Sequence, residues 1–522
     1  MAARPPSDTK RRTIHSVCRI ERYLFVNLSQ PSYEYDVNSI VKAFYPDRQV
    51  KVLTTESKVL WEEYREVKAD PEKAKACEEI QVEFSPEGAT VRMNVEGKAP
   101  ECFGAEYRWE CEDKAEEYKA GFKAFLYKTL ESHVGRSLPW GNLTGIRPTK
   151  IAYGLLEEGR EAPEIKAYMM DKYFVSEEKA LLSIDIAGRE RELLSKIHYQ
   201  DGYSLYIGIP FCPTTCLYCS FTSFPIAAYR KKVDAYLDCL IREMEYVSKK
   251  YHDKTLDTVY VGGGTPTTLE PEQLEKLLSA LEKYFDLSKL LEFTVEAGRA
   301  DSITPEKLRV LKKHGVSRIS VNPQTMKQKT LDVIGRKASV AQVLEAYRIA
   351  RKEGFENVNM DLILGLPGET EEDVQHTIDE VVRLAPDSLT VHSLAIKRAS
   401  KLSEWIREHG ITALSNTDET MRIAAEGAKR LGMQPYYLYR QKNMSGNFEN
   451  VGYAVPGKYG IYNILIMEEV QTILALGAGC ISKRVYPDGR IERSDSIKDV
   501  SLYIEKIDEM IERKERLLSE EA

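Results

Sequence analysis

The sequence predicts an α/β protein built around a partial (β/α)6 barrel, with an N-terminal α+β domain and a C-terminal α+β extension. Six short apolar runs between residues 203 and 400 alternate with amphipathic stretches, which is the pattern of parallel strands joined by helices. Six units are too few for a closed eight-stranded barrel, so we expect an open one. The flanking regions, residues 1–200 and 401–522, lack this regular alternation.

The six runs are SLYIGIP, TVYVGGG, EFTVEAG, RISVNPQ, NVNMDLILG and SLTVHSLA, in chain order. Between them, residues 271–285 and 340–353 carry apolar residues at helical spacing. Thr304 and Thr370 each precede an acidic first turn and are predicted to be N-caps. Because barrels of this kind carry their chemistry at the carboxyl ends of the strands, we expect the functional residues to follow these runs.

Composition excludes several classes of protein. The chain has 522 residues, which is too long for one ordinary core and indicates domains near residues 1–200, 201–400 and 401–522. A net charge of -7 without a strongly basic block argues against a nucleic-acid partner. No apolar run reaches the ~18 residues of a membrane span, and no apolar segment typical of a signal peptide follows the basic N-terminus.

Nine cysteines are too few for a disulfide scaffold in a chain of this length. Cys212, Cys216 and Cys219 lie close together on the loop after the first run, which indicates a metal site in a reducing compartment; we therefore expect a cytoplasmic protein. The remaining cysteines are predicted to be ordinary core or surface residues: Cys18, Cys77, Cys102, Cys111, Cys239 and Cys480.

The three-cysteine loop has the spacing Cys-x-x-x-Cys-x-x-Cys. Three thiolates on one short loop can hold three irons of a [4Fe-4S] cubane and leave the fourth iron open to a bidentate small molecule. A zinc site is one alternative, but zinc favours four ligands and no matching cysteine pair lies nearby. Three buried thiols without a metal are the other alternative.

Glycines and acidic residues lie in or at the ends of three of the other runs. The glycines of Gly262–Pro266 let backbone approach a ligand closely, although a tight turn would use them too. Glu296 ends the third run, where a carboxylate can bind ribose hydroxyls or simply face solvent. Asp361 lies inside an apolar run and needs a partner, which is either Arg336 in an ion pair or a ligand.

Together these motifs resemble the radical SAM (S-adenosylmethionine) superfamily and, within it, the oxygen-independent coproporphyrinogen III oxidase, or dehydrogenase, family. The likeness over residues 203–400 rests on YxxIPFCxxxCxYC, GGGTP, the strand-end Glu, a Gln followed twelve residues later by Arg, and DLIxGLPxE. Segments in both flanks resemble the HemZ type of this family and extend the likeness from about 135 to 490: WGNLTGIRPTK, TVEAGRADSIT, RISVNPQTM, YLYRQKNMSGNFENVGYA and IMEEVQTILALGAG.

The resemblance implies a radical SAM barrel that holds a [4Fe-4S] cluster and one or two SAM molecules. In such enzymes an electron from the reduced cluster cleaves SAM, and the resulting 5′-deoxyadenosyl radical abstracts hydrogen from the substrate. Carried over by position, the family's SAM contacts fall on Tyr206, Tyr218, Gly263, Gly264, Thr265, Glu296, Gln324, Arg336, Asp361 and Ala395.

Two positions depart from the best-studied members of the family, which bind two SAM molecules. Those members have a His two residues after the first Tyr of the motif, where this chain has Gly208. They also have a fourth Cys two residues after the third, where this chain has Phe221. Both departures bear on whether a second SAM binds.

The implied reaction turns two propionates of coproporphyrinogen III into vinyl groups, giving protoporphyrinogen IX in haem biosynthesis, with an electron donor such as flavodoxin or ferredoxin. The substrate carries four carboxylates, so cations are needed to bind it. Candidate cations, each of which is otherwise an ordinary surface charge, are Lys397, Arg398, Arg440 and Lys442.

Two alternatives to this reaction are a haem chaperone-like tetrapyrrole-binding protein and a radical SAM enzyme acting on another tetrapyrrole. The haem-chaperone branch of the family has a His-Asn haem motif, and residues 443–447 of this chain contain no His. The aromatic run of residues 436–442 either offers faces to a macrocycle or forms a buried strand with a charged end.

Overall fold

The computed structural model describes residues 22–94, 103–108, 115–145, 147–397, 400–410, 414, 416–441 and 448–519. The chain divides into two compact units, Met1–Val134 and Gly135–Ala522. The division differs from the boundary expected near residue 200. Residues such as Ile165, Met169 and Ile186 pack into the same hydrophobic core as the barrel strands, so the helices before the barrel belong to its unit.

The first unit is a small α/β sheet. Its elements are β1 (Tyr23–Leu28), α1 (Glu34–Phe44), β2 (Gln49–Leu53), α2 (Lys58–Ala69), α3 (Pro71–Lys75), β3 (Cys77–Ser85), β4 (Gly88–Asn94), β5 (Phe103–Arg108) and α4 (Ala115–Val134). The strand order is β2-β1-β3-β4-β5. Strand β1 is parallel to both of its neighbours, and β3, β4 and β5 pair antiparallel.

The second unit begins with three helices and continues into the barrel. The elements up to the last barrel strand are α5 (Thr149–Glu157), α6 (Ala162–Tyr173), α7 (Glu177–Leu194), β6 (Gly202–Ile209), β7 (Phe211–Cys212), β8 (Phe224–Pro225), α8 (Ile226–Tyr229), α9 (Val233–Lys250), β9 (Thr255–Gly263), α10 (Pro271–Tyr284), β10 (Glu292–Glu296), α11 (Pro305–Lys313), β11 (Arg318–Ser320), α12 (Gln328–Val333), α13 (Val340–Lys352), β12 (Val358–Leu364), α14 (Glu371–Leu384) and β13 (Ser388–Ser393).

Six strands of this unit, β6, β9, β10, β11, β12 and β13, lie side by side in chain order, and each neighbouring pair is parallel. All six predicted runs therefore form the strands expected of them, and the partial (β/α)6 barrel is confirmed. The Thr304 and Thr370 side chains cap α11 and α14 by accepting the backbone N–H groups of Lys307 and Asp373.

The remaining elements follow the barrel. They are α15 (Leu402–His409), α16 (Asp418–Arg430), β14 (Gln434–Tyr439), β15 (Asn450–Ala454), α17 (Ile461–Glu468), β16 (Thr472–Leu476), β17 (Ile481–Val485), β18 (Ile491–Asp495), α18 (Val500–Glu505) and α19 (Ile507–Ser519). The expected C-terminal region is thus part of the barrel unit. Strands β15 and β14 extend the sheet beyond β13, and β16, β17 and β18 extend it beyond β6.

The two faces of the barrel strands differ in chemistry. One face is apolar and packs into the main core, as Leu205, Val259 and Val295 do. The alternate residues on the other face include polar side chains that are nevertheless buried, such as Ser204 and Thr258, whose hydroxyls are joined by a 2.9 Å hydrogen bond. Because successive side chains of a strand point to opposite faces, a polar interior results from alternation within each run.

Within the described residues, no helix combines the length and the apolar character needed to cross a bilayer.

A buried ion pair joins the C-terminal helix α19 to the barrel. The ammonium of Lys514 contacts the carboxylate of Glu243 on α9, and these side chains are 3% and 0% exposed. The same carboxylate accepts the backbone N–H of Gly477 at 2.8 Å and the hydroxyl of Tyr503. The carboxylate is therefore fully desolvated and depends on Lys514 for its charge balance.

We expect Lys514→Met to lower the free energy of unfolding of this unit by about 3–5 kcal/mol, because it leaves the Glu243 charge buried and unpaired. Denaturant unfolding followed by circular dichroism measures the loss. Lys249→Met is the matched control, since Lys249 forms an exposed ion pair with Glu245 on the same helix and should change stability little. Equal effects of the two substitutions would contradict the prediction.

Candidate active site

The three-cysteine loop starts at the end of the short strand β7, which pairs with β8. Backbone hydrogen bonds fix its conformation. The N–H of Cys219 donates to the carbonyl of Cys216 at 3.2 Å, and the N–H of Leu217 donates to the carbonyl of Ile334 at 2.9 Å. The Thr214 hydroxyl donates to the carbonyl of Gly335 at 3.1 Å. The loop is therefore anchored to the segment that follows α12.

The three thiols have different surroundings. The Sγ of Cys212 lies 3.4 Å from the Thr265 hydroxyl, and Arg299 donates to the Sγ of Cys216, also at 3.4 Å. Burial raises the pKa of Cys212 to about 11 and also raises the pKa of Cys219. Both are thus thiols at neutral pH, and iron binding would release their protons.

No group of three or more His, Cys, Asp or Glu side chains in the described part of the chain is arranged to hold one metal ion. The cysteine loop does not need such an arrangement to hold a cubane, because each thiolate of a cubane binds a different iron.

The glycine run lies directly against the backbone that leads into the cysteine loop. The N–H of Gly264 donates to the carbonyl of Ile209 at 2.8 Å, and the N–H of Thr265 donates to that of Phe211 at 2.7 Å. A Cβ at Gly264 would lie 2.6 Å from the Phe211 carbonyl oxygen and 2.9 Å from that of Ile209, and Gly263 has a φ of 104°. Glycine is thus required for packing here, and two amides of the run are already used inside the protein.

The structure also explains the glycine at position 208. A Cβ there would overlap the Sγ of Cys480, and the Tyr236 hydroxyl donates to the Gly208 carbonyl at 2.7 Å. No larger side chain fits without displacing Cys480. At the second departure, Phe221 is 71% exposed on the cysteine loop.

The polar face carries a stack of three tyrosines next to Glu296. Tyr260 stacks with Tyr462 at a centroid distance of 4.5 Å, and Tyr206 stacks on both rings at 6.1 Å. The Tyr260 hydroxyl donates to the Glu296 carboxylate at 2.6 Å. Burial raises the pKa of Glu296 to about 7, with the nearby charge of Asp361 adding to the rise. Glu296 therefore changes its protonation near neutral pH.

Two other buried side chains of the site each have one polar atom without a hydrogen-bond partner. Within the described residues, neither Oε1 of Gln324 nor Nε of Arg336 has a partner. Gln324 also has a φ of 67°, in the left-handed region that a non-glycine residue rarely adopts. Buried polar atoms are normally satisfied, so both atoms fit a site that holds a polar ligand such as SAM.

The ion pair considered between Asp361 and Arg336 does not form. Arg336 donates to the carbonyls of Asn322 at 2.6 Å and Gly298 at 3.1 Å, and to the hydroxyl of Tyr218 at 3.2 Å. The backbone carbonyls that converge on this guanidinium take the place of a carboxylate.

Asp361 instead belongs to a group that includes a histidine. Asn359 donates to its carboxylate at 2.7 Å, and Nε2 of His392 lies 3.9 Å from it. These partners, His392 first, outweigh the effect of burial and hold the pKa of Asp361 below its usual value. Nδ1 of His392 lies 3.4 Å from the Tyr439 hydroxyl. The half-exposed Ala395 lies just beyond the end of β13, the strand that carries His392.

The predicted substrate cations differ in where the structure places them. The Lys397 ammonium lies 5.6 Å from the centre of the Phe221 ring, beside the cysteine loop. Arg440 is 6% exposed and donates to the carbonyl of Leu143 at 2.6 Å, which is a structural contact. Arg398 and Lys442 lie outside the described residues, as does the stretch 443–447.

The aromatic run is a buried strand, as the second interpretation expected. Tyr436 and Tyr437 of β14 are buried in a core cluster with residues of α17. Tyr439, at the end of this strand, is half-exposed, and its hydroxyl approaches His392.

Two residues of the site were not singled out by the sequence analysis, although one of them lies in a segment quoted there. Arg299 follows the third strand in TVEAGRADSIT, and its contact with Cys216 joins positions 83 residues apart. His392 lies inside the sixth strand, where a sequence pattern cannot distinguish a ligand-facing histidine from a core one. Alternation along β13 could have placed His392 on the same face as Thr390, but not beside Asp361.

Comparison with known proteins adds to this geometry. Residues 206–381 match the family described as the radical SAM superfamily. The chain is 41% identical over 396 residues to the oxygen-independent coproporphyrinogen-III oxidase-like protein HemZ of Bacillus subtilis (strain 168), covering 75% of this chain and 79% of that protein. It is 40% identical over 195 residues to the haem chaperone HemW of the same organism, covering 37% of this chain and 51% of that one.

Among solved structures, the chain is similar to coproporphyrinogen III oxidase (HemN) from Escherichia coli, a radical SAM enzyme. The match has a TM-score of 0.48 and 22% sequence identity, and it covers 62% of this chain and 73% of that one.

The chain has a three-cysteine loop after the first strand of an open six-stranded barrel, and the superfamily match includes both the loop and most of the barrel. These features define a radical SAM protein. The chain belongs to the HemZ type of the oxygen-independent coproporphyrinogen III oxidase family. Membership implies a [4Fe-4S] cluster and SAM as cofactors. The resemblance predicted from the motifs is confirmed.

Proposed function

We propose that the chain is an oxygen-independent coproporphyrinogen III dehydrogenase, which oxidatively decarboxylates two propionates to vinyl groups and yields protoporphyrinogen IX. The observation that carries the proposal is the likeness to the HemZ protein over 75% of the chain, whereas matches to HemW proteins of several organisms cover from 37% to 58% of it. All radical SAM proteins share the barrel. The likeness to HemZ also includes segments outside it.

In this proposal Cys212, Cys216 and Cys219 bind the [4Fe-4S] cluster. Their loop is anchored, Cys216 is buried and the other two cysteines are half-buried, which would help to protect an oxygen-sensitive group. A reducing compartment such as the cytoplasm would suit the free cysteines and the cluster. When bound, the cluster and SAM would supply a 5′-deoxyadenosyl radical that removes a hydrogen atom from the propionate carbon next to the macrocycle. An electron donor such as flavodoxin or ferredoxin would reduce the cluster.

Residues at the strand ends would hold SAM. Glu296 would accept the ribose hydroxyls, and the backbone around Gly263 would allow close approach of the ligand. Oε1 of Gln324 and Nε of Arg336 would find in SAM the partners that they lack in the described residues. The other proposed contacts lie near the cysteine loop or on the polar face of the barrel: Tyr206, Tyr218, Gly264, Thr265, Asp361 and Ala395.

The tetrapyrrole would lie near the open ends of the same strands. Lys397 lies beside the cysteine loop, and we propose it as a partner of a substrate carboxylate. Arg398 and Lys442, which lie outside the described residues, are proposed for the same role. Arg440 is a weaker proposal, because its guanidinium is buried against Leu143 and Trp140.

A haem chaperone-like function is the second candidate, because the HemW protein of Bacillus subtilis is 40% identical over the 195 residues that it matches. Against it stands the absence of His from residues 443–447.

Cys216→Ala should lose most of the iron and all SAM cleavage after anaerobic reconstitution, because two thiolates cannot hold a site-differentiated cubane. Iron and sulfide analysis with electron paramagnetic resonance (EPR) spectroscopy measures the loss. The matched control is Cys77→Ala, since Cys77 is a half-buried free cysteine of the first unit. A full cluster in Cys216→Ala would refute the assignment of the cluster ligands.

Glu296→Gln should weaken SAM binding by about 1.5–3 kcal/mol, the worth of a hydrogen bond to a charged group. In the wild type, the ionised carboxylate can accept hydrogen bonds from two ribose hydroxyls, and it does so better than the protonated acid. Since its pKa is about 7 before SAM binds, affinity should rise with pH, by up to about tenfold per unit below that pKa.

Calorimetric titrations with SAM between about pH 6 and 8 measure this dependence and count whether one or two SAM molecules bind. The pH dependence should be flat in Glu296→Gln, while Glu306→Gln, at an exposed helix start, should behave as wild type. A flat wild-type profile would rule out the role given to Glu296.

The proposed reaction is tested by incubating the reconstituted protein with coproporphyrinogen III, SAM and a low-potential reductant without oxygen. We expect CO₂, protoporphyrinogen IX and 5′-deoxyadenosine, and none of the three from Cys216→Ala. A cluster-loaded protein that binds haem tightly and releases no CO₂ would overturn the proposal in favour of the chaperone-like function. SAM cleavage that depends on a different tetrapyrrole would favour another substrate.

A further inference from the structure

Arg299 reaches the cysteine loop from the segment between β10 and α11. Its Nη1 donates to the Sγ of Cys216 at 3.4 Å and to the carbonyl of Thr214 at 3.3 Å. Its Nη2 donates to the hydroxyl of Thr214 at 3.1 Å. One guanidinium therefore contacts a proposed cluster ligand and the backbone of the loop that carries it.

Asp301 holds this guanidinium from the other side. Nε of Arg299 donates to one carboxylate oxygen at 3.0 Å, and Nη2 donates to the other at 2.8 Å. The two side chains are 4% and 17% exposed, so little solvent screens them. All three nitrogens of the guanidinium are thus engaged, in the paired geometry that fixes an arginine firmly.

A fixed cation with an N–H directed at a ligand sulfur affects a [4Fe-4S] cluster in one direction. Reduction adds one negative charge to the cluster. A positive charge and a hydrogen bond to a thiolate stabilise that charge, and both act strongly where water is excluded. Arg299 should therefore favour the reduced form, and the negative charge of Asp301 should offset part of this effect.

We propose that Arg299 raises the reduction potential of the [4Fe-4S] cluster through its contact with Cys216, and that Asp301 positions Arg299 and limits its effect. The inference rests on the proposed cluster ligands and not on the identity of the tetrapyrrole. It gives the Arg299–Asp301 pair a role in how readily the protein accepts the electron needed for SAM cleavage.

Lys397 offers a natural comparison. Burial lowers the pKa of Lys397, and the Cys219 sulfur close to its ammonium opposes this effect when it is charged. Among the contacts of the described residues, Lys397 has a ring contact with Phe221 and no hydrogen bond to a thiol. It thus supplies charge near the cluster without the directed N–H of Arg299. Arg336 is a further cation whose charge acts on Cys216.

The test is a redox titration of the reconstituted full chain followed by EPR, with and without SAM and without any tetrapyrrole. Arg299→Gln should lower the ratio of reduced to oxidised cluster at a fixed solution potential tenfold or more, which is a midpoint lower by about 59 mV for a one-electron couple. Asp301→Asn should move the midpoint upward, because the amide oxygen can still accept a hydrogen bond from Arg299 while the compensating negative charge is lost. Lys397→Met should shift it downward by less than Arg299→Gln.

Opposite shifts in Arg299→Gln and Asp301→Asn separate an electrostatic role from a structural one, because loosening the loop would disturb both variants alike. Iron analysis accompanies each titration. If Arg299→Gln fails to hold iron, the midpoint potential of Asp301→Asn tests the proposal, and it should lie above that of the wild type. Unchanged potentials, shifts in the same direction, or loss of iron from both variants would overturn the proposal. A wild-type protein without a cluster would instead refute the assignment of the cluster ligands.

Discussion

The close approach of two backbone segments, the glycine run after β9 and the residues that lead from β6 into the cysteine loop, determines the geometry of the site. The amides of Gly264 and Thr265 donate to the carbonyls of Ile209 and Phe211, and there is no room for a Cβ at Gly264. These bonds set where the loop starts. The contact of Thr265 with Cys212 follows from the same register. A motif that resembles a ligand-binding loop therefore serves first to position the cysteines.

The barrel sheet separates two environments, and the site depends on both. Its apolar face packs closely against helices, and this packing holds the strands in fixed positions. Glu296 lies on the polar side of the sheet, and near it Gln324 and Arg336 bury atoms that have no partner in the described residues, which costs free energy. The raised pKa of Glu296 reflects this cost directly. A ligand that supplies the missing hydrogen bonds would recover that free energy, and in the proposed function this ligand is SAM.

The local parts of the fold could be predicted from sequence, and the long-range contacts could not. Alternation and N-caps predicted the six strands and the starts of α11 and α14, because these signals involve residues a few positions apart. The positions of β14–β18 depend on pairing with β13 and β6, to which no local pattern points. For the same reason the sequence left the partner of Asp361 open between Arg336 and a ligand. Arg336 is bound instead by backbone carbonyls, which any residue type provides.

The order of strands in the sheet has a consequence for synthesis of the protein. Strand β6, which leads into the cysteine loop, pairs with β9 on one side and with β16 on the other. The ribosome makes β16 long after β6, on the order of tens of seconds later at usual elongation rates. During that interval β6 is an edge strand with unpaired backbone groups, which favours association with other chains. The strand that leads into the cysteine loop therefore gains its second neighbour only when the chain is nearly complete.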